Sequence, residues 1–330
     1  MPELPEVETV VRELNKKLKN RIIQSVRVQS AKMISIGPNS VSNIRTVKSY
    51  EVIKFIKSLQ GKRFLSVKRR AKLLIFRLAP SPVLTKVRTP SPSRGEGKNE
   101  KAVLFLLVHL KMTGQFIFED KKLRARTEGR YRLLNKASAP LVSLPSKHTH
   151  VIFEFKDSSK LFFNDVRKFG YLKLVKSDQL QQIKELQEYG PEPLNPKFQY
   201  PQFLTAFTKR KYGKIKEVLV DPTIVAGIGN IYSDEILFLA GIRPGRKVLS
   251  IKYNELRKVY KNIKLVLNQA IKAKGSSVGE YVRTDGSWGE MGKYHWVYGR
   301  KGQKCKKCGS IIESLKLGGR TASFCPKCQK

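Results

Sequence analysis

The sequence predicts a multidomain α+β protein: an N-terminal β-sandwich entered through a helix, then a helical domain, then a C-terminal zinc-ribbon finger. Three observations predict it. Short stretches of alternating apolar and polar residues crowd the first half. After Lys176 the apolar spacing changes to the three-and-four repeat of helices. All four cysteines fall between Cys305 and Cys328. A chain of 330 residues is long enough for several such units.

The elements follow in order. Val7, Val10, Val11, Leu14 and Leu18 share one face of a first helix. Residues 21–29 and 66–78 alternate as strands, the second with Ala71, Leu73 and Ile75 on one face. Residues 80–101, rich in Pro, Ser, Gly and charge, read as an exposed, mobile insertion. Residues 102–110 form a buried strand, and 115–118 another after the Thr113-Gly114 turn. The basic, aperiodic stretch 124–147 reads as a second long loop. Residues 151–155 and 160–163 pair around Asp157-Ser158-Ser159, and 171–175 add a strand.

Leu180, Ile183 and Leu186 mark a helix that Gly190-Pro191 stops. Three prolines in 190–196 make a linker. Helices are expected at 202–208, 215–220, 231–240 and 253–274, and 275–296 is glycine-rich and irregular. The expected domains are therefore 1–190, 191–296 and 297–330. No repeat or dimerisation signal is present, so a monomer is expected.

Charge narrows the function. Lys and Arg number 66 against 26 Asp and Glu, a net charge of +40. Such a surface attracts polyanions. Nucleic acid is favoured over anionic membranes and ribosomes. The longest apolar run, 102–108, is too short to span a bilayer. No basic segment followed by an apolar one opens the chain. A soluble, cytoplasmic, nucleoid-associated protein is expected.

Cys305-x2-Cys308, sixteen residues, then Cys325-x2-Cys328 presents four thiolates tetrahedrally. Such a set suits one structural Zn²⁺ with no open catalytic position, and a single iron is its chemical rival. Residues 310–317 and 320–324 pair across Gly318-Gly319, which sets Arg320 at the turn.

Further motifs carry chemistry. Pro2 becomes an N-terminal secondary amine once Met1 is removed, and Glu3 beside it can move protons. Burial or a neighbouring cation would enrich the neutral, nucleophilic amine. A frayed, inert terminus is the ordinary alternative. Gly227-Ile228-Gly229-Asn230 precedes a helix whose free N–H groups suit a phosphate, with Asn230 as cap, although a tight interhelical turn explains it equally well. Lys72 is the deepest of four cations in one strand, lining a phosphate cleft or else a solvated edge. His109 leaves a buried strand for a turn in which Met112 is either a core residue or a wedge between bases. Arg167 and Phe169 share a loop suited to phosphate contact and base stacking, or to packing.

Taken together, these motifs resemble the formamidopyrimidine-DNA glycosylase family. The resemblance covers nearly the whole chain: the opening Pro-Glu-Leu-Pro-Glu-Val-Glu-Thr; Arg69-Arg70-Ala71-Lys72; His109-Leu110-x-Met112-Thr113-Gly114; Arg167-x-Phe169-Gly170; Gly190-Pro191-Glu192-Pro193-Leu194; residues 225–232; Thr284-Asp285-Gly286; Val297-Tyr298-Gly299-Arg300; and the cysteine module with Gly319-Arg320-Thr321. It implies a β-sandwich, a helix–two-turn–helix domain and a zinc finger, with duplex DNA carrying oxidised bases between them. It implies excision of 8-oxoguanine and formamidopyrimidines with strand cleavage. The implied catalytic set is Pro2 as Schiff-base nucleophile, Glu3 as proton carrier, Lys72 at the phosphate beside the lesion, and Arg320 on a backbone phosphate. Asn230 would also grip phosphate. Met112, Arg167 and Phe169 would fill the void left by the extruded base, and His109 completes the DNA contacts. Part of 275–296 would cover the flipped base.

Val166 and Lys168 stand where the family often has Pro and Arg, and both insertions look long for it. The rivals are the endonuclease VIII-like branch, which acts on oxidised pyrimidines, and a noncatalytic zinc-ribbon nucleic-acid-binding protein. Leu4, where that branch typically has Gly, favours the purine branch. The excess charge in 80–101 predicts extra nonspecific DNA affinity. Deleting that segment should reduce the log–log salt slope of binding by about 0.9 for each phosphate it neutralises. An unchanged slope in a salt titration contradicts the prediction.

Overall fold

The computed structural model describes residues 1–39, 47–81, 103–133, 141–279 and 281–330. The chain opens with α1 (Leu4–Leu18), β1 (Ile23–Val28) and β2 (Ile34–Ile36). Then come α2 (Ser49–Leu59), β3 (Lys62–Arg70), β4 (Leu73–Pro80), β5 (Leu104–His109) and β6 (Gly114–Glu119). A peripheral unit follows: α3 (Lys121–Thr127), β7 (Arg130–Tyr131) and β8 (Val142–Ser143). β9 (Thr149–Phe155), β10 (Lys160–Asp165) and β11 (Tyr171–Lys176) complete the first half.

Two sheets form a sandwich, one ordered β1-β9-β10-β6 and the other β2-β11-β5-β4-β3. Their facing sides alternate apolar residues into one core with Phe64, Phe76, Phe116, Phe153 and Phe155. The Phe64 ring meets those of Phe76, Phe153 and Phe155 edge-on, with centroids 5.7, 6.4 and 5.9 Å away. α1 adds Val7, Val10, Val11, Leu14 and Leu18 to this core. α2 was not anticipated, although Val52, Phe55, Ile56 and Leu59 are spaced as a helix requires.

Three expectations need correction. Residues 66–78 are not one strand. The chain reverses at Ala71-Lys72, and Arg70 pairs with Leu73. The two turn residues swap the parity: Val67 faces the core before the turn, and Leu74, Phe76 and Leu78 face it after. Ala71 lies in the left-handed region at φ 52°. The second correction concerns 124–147, which is not wholly loop: its described residues include the end of α3 and the β7–β8 pair. Asp120 caps α3 by accepting the Leu123 N–H at 2.8 Å. Leu123, Tyr131 and Leu133 pack with Ile117 and Val282. Third, the helix expected before Gly190 is a 3₁₀ turn, Ser177–Gln182, followed by a short α4 (Lys184–Glu188). Ile183 is extended between them because its side chain packs with Leu73, Leu107 and Tyr171. The insertion expected at 80–101 lies outside the described residues from 82 onward.

The second half is helical: α5 (Tyr200–Thr208), α6 (Ile215–Leu219), α7 (Asn230–Ala240) and α8 (Tyr253–Lys272). Leu4 of α1 packs in the core of this half, so α1 joins both cores. β12 (Glu313–Leu317) and β13 (Arg320–Phe324) form the final hairpin across Gly318-Gly319. No helix among the described residues is long and apolar enough to cross a membrane.

Replacing Phe64 by Ala removes the ring on which three others converge. Its cost should be about 3–5 kcal/mol. A denaturant midpoint within error of the unsubstituted protein contradicts that placement.

Candidate active site and nucleic-acid interface

Pro2 is buried at the entry to α1, and Glu3 is the helix N-cap. Glu3 does not point to solvent. Its carboxylate accepts the N–H groups of Gly229 and Ile231 at 2.8 Å each, and that of Tyr232 at 3.4 Å. The free N–H groups expected to bind phosphate at the start of α7 are therefore occupied by an internal anion. Gly229, not Asn230, is the N-cap, and Asn230 is the first helical residue. The Asn230 Oδ1 is buried without a hydrogen-bond partner among the described residues. Glycine is required at 229, because a Cβ there would sit 2.4 Å from Glu3 Cδ.

Glu6 supports the same terminus. It accepts the Glu3 N–H at 2.8 Å and the Ser276 N–H at 2.7 Å, and it also accepts from the Tyr232 hydroxyl. Burial raises the Glu6 pKa, and the Glu3 charge raises it further.

A cavity of about 340 Å³ opens at this point, lined by Met1, Lys72, His109, Lys111, Glu185, Glu188, Gly227 and Arg320 among others. Lys72 reaches it from the β3–β4 turn. Burial lowers the Lys72 pKa, while Glu3 and Glu6 pull it back up and Arg320 pushes it down. Glu192 holds the turn. It accepts the Ala71 N–H at 2.5 Å, and its carboxylate pairs with Arg69 at 2.5 Å and Arg70 at 3.2 Å. These two arginines are thus structural, and Lys72 is the cation of that run left for the cavity. The 190–196 segment, expected as a linker, supplies the clamp.

His109 forms part of the wall. Its Nδ1 accepts the Lys111 N–H at 2.9 Å, and burial lowers its pKa well below the usual value. The imidazole is neutral and presents its other nitrogen as a donor. Sequence reasoning missed Lys111, Glu185 and Glu188 as lining residues. Lys111 lies inside a recognised motif, whereas the two glutamates carry no local signal.

Beside the cavity, two turns are tied together. The Arg167 N–H donates to Thr113 Oγ1 at 2.9 Å and Asp165 Oδ1 at 3.1 Å, and Gly170 N–H to Asp165 Oδ2 at 2.7 Å. This brings the Met112 turn against the Arg167–Phe169 loop. Arg167 stacks over the Phe169 ring at 4.8 Å, and that ring is 46% exposed. An exposed aromatic under a cation suits base stacking more than core packing. Lys111 and Lys168, within these two turns, are both left-handed at φ 49° and 57°. Such strain persists only where surroundings enforce it.

The four cysteine sulfurs lie within 4.8 Å of one another. A tetrahedral zinc with Zn–S bonds near 2.3 Å sets sulfurs about 3.8 Å apart. Cys308 and Cys325 sulfurs are 3.5 Å apart and those of Cys305 and Cys328 4.0 Å, too far for disulfides. The set fits one structural zinc held by Cys305, Cys308, Cys325 and Cys328. The hairpin beyond it carries Arg320 into the cavity.

Residues 1–172 match the formamidopyrimidine-DNA glycosylase N-terminal domain, 189–282 its H2TH domain, and 302–330 the zinc finger found in FPG and IleRS. The formamidopyrimidine-DNA glycosylase of Prochlorococcus marinus (strain MIT 9301) is 37% identical over 332 residues, covering 100% of each chain. That of Listeria innocua serovar 6a is 33% identical over 330 residues, again covering 100% of each. Among solved structures, Lactococcus lactis Fpg in complex with abasic-site DNA aligns with TM-score 0.73 and 30% identity over 100% of each chain. MutM in complex with DNA containing carbocyclic 8-oxo-G aligns with TM-score 0.74 and 31% identity over 100% of each chain. The chain belongs to the formamidopyrimidine-DNA glycosylase family.

Proposed function

We propose that this protein is a bifunctional DNA glycosylase and abasic-site lyase that removes oxidised purines from duplex DNA. The observation that carries the proposal is the convergence on one cavity of Met1, Lys72 and Arg320, with buried Pro2 behind Met1 and the Glu3 carboxylate fixed on α7. Removing Met1 uncovers the Pro2 nitrogen toward that cavity.

The Pro2 nitrogen attacks C1′, and the base departs with a proton. The sugar ring opens as its oxygen leaves C1′, which makes an iminium. That cation draws electrons from the C2′–H bond, so loss of the C2′ proton expels the 3′-phosphate. A second elimination expels the 5′-phosphate. Glu3 carries protons to and from the sugar. Lys72 and Arg320 hold the flanking phosphates, helped by Asn230 and His109. Met112, Arg167 and Phe169 enter the gap left by the extruded base and offset part of an unstacking cost of a few kcal/mol.

Borohydride trapping on a duplex with 8-oxoguanine opposite cytosine tests the proposal. Zinc-loaded, Met1-processed protein should yield a covalent adduct at Pro2, and cleave this duplex in preference to one with thymine glycol opposite adenine. A tag left ahead of Pro2 should abolish the adduct and spare DNA binding. A tagged protein that still traps through Pro2 contradicts the mechanism.

Gly229→Ala gives a second test. The added methyl displaces the Glu3 carboxylate from the α7 amides. Adduct formation should fall by about 10²–10⁴-fold, the range for a general acid–base group. Wild-type single-turnover rates in a Gly229→Ala protein with an unchanged melting profile would place Glu3 outside the chemistry.

A further inference from the structure

We propose that Asp234 is a positioning residue for Arg320. Through the buried Asp234–Lys216 pair, α7 holds the tip of the zinc-finger hairpin at a set distance from the catalytic N-terminus. The inference rests on the reading of Arg320 as a phosphate-gripping residue.

Arg320 is the first residue of β13, directly after the Gly318-Gly319 turn. The backbone just beyond it is gripped twice. Ser323 N–H donates to Asp234 Oδ2 at 2.9 Å, and Lys216 Nζ donates to the Thr321 carbonyl at 3.2 Å. Lys216 and Asp234 themselves meet at 2.5 Å, with side chains 1% and 0% exposed. Three residues before Asp234 on the same helix, Ile231 N–H holds Glu3. One turn of α7 therefore carries Glu3 on its amides and the Arg320 hairpin on a side chain.

Stability alone does not explain the pair. Replacing a buried ion pair by well-packed apolar side chains is often neutral or stabilising. Burial here pushes the Asp234 carboxyl up to about 7, against the pull of Lys216, and pushes the Lys216 ammonium down. What the pair supplies is geometry, because each partner also bonds a backbone atom of β13.

The other end of the finger has separate anchors. Lys330 N–H donates to the Gly241 carbonyl at 3.0 Å, and Arg243 N–H to the Lys330 carbonyl at 3.0 Å. The Arg243 guanidinium donates to the Gln329 and Pro326 carbonyls, both at 3.0 Å. Phe238 stacks on Trp296 with centroids 5.3 Å apart. Loss of Asp234 therefore frees the hairpin tip and leaves the zinc knuckles docked.

The test is a double-mutant cycle on zinc-loaded, Met1-processed protein, reading strand cleavage of a duplex with a preformed abasic site. Asp234→Ala should lower kcat/KM by up to about 100-fold, the cost of a misplacement of roughly 1 Å, with one zinc retained per chain. Asp234→Ala combined with Arg320→Ala should be no slower than Arg320→Ala alone. Asp234→Asn keeps the acceptor for Ser323 N–H and should show a smaller loss that Arg320→Ala also masks; it serves as the test if the alanine protein loses zinc. Multiplied losses in the double variant, or wild-type kinetics of Asp234→Ala, overturn the proposal and leave the assignment of Arg320 intact. Wild-type kinetics of Arg320→Ala would overturn that assignment and this inference together.

Discussion

The Glu3 carboxylate on the amides of α7 is the interaction on which the arrangement depends. Hydrogen bonds to a charged acceptor are each worth about 1.5–3 kcal/mol. The positive end of a helix dipole adds to them. Three such N–H groups bind one carboxylate at the chain terminus, a place where fraying is the ordinary outcome. The Leu4 N–H donates to the Gly227 carbonyl at 3.0 Å, and the Leu4 side chain packs in the helical core. The terminus is thus built into the second half of the molecule while the rest of α1 belongs to the first. The N–H groups of Gly229, Ile231 and Tyr232 are thereby committed to Glu3.

Three of the expected site residues, Lys72, Met112 and Phe169, adjoin turns that their own sequences do not favour. Among the described residues, seven non-glycine positions have positive φ, and three of them, Ala71, Lys111 and Lys168, adjoin Lys72, Met112 and Phe169. A left-handed non-glycine residue costs about 1–2 kcal/mol. Each turn has a compensating anchor nearby: Glu192 on the Ala71 N–H, the His109 ring on the Lys111 N–H, and Asp165 on the N–H groups flanking Lys168. These anchors fix the backbone on which Lys72, Met112 and Phe169 sit.

This explains what the sequence made legible. The cysteine ligand set, the hairpin across Gly318-Gly319 and the long apolar stripe of α8 are local signals, and local chemistry decides them. Pro2, Glu3, Lys72, His109 and Arg320 are expected at a site from their residue types together with the family resemblance, and Lys72, His109 and Arg320 line one cavity with Met1. Their anchors are not legible in the same way. Ala71 turns without Gly, Asn or Pro because Glu192, 121 residues later, accepts its N–H. The phosphate expected on α7 is replaced by a carboxylate 226 residues earlier in the chain than Gly229. Such long-range partners leave no periodicity to read.

The anchors share a chemistry that resolves an apparent conflict in the composition. A chain with net charge +40 has little use for carboxylates on a surface that must attract DNA. The acids that matter are instead turned inward onto backbone N–H groups. Glu6 pins Ser276, Glu13 pins Thr284, Asp165 pins Arg167 and Gly170, and Asp234 pins Ser323. Glu235 takes the N–H groups of Trp296, Val297 and Tyr298 at 2.8, 3.1 and 2.9 Å. A neutral acceptor would bond these amides about half as strongly. An exposed acid would instead cancel a cation that faces the duplex. Placing the anions inside lets the same residues stiffen these loops and leave the exterior positive, so rigidity and polyanion attraction do not compete.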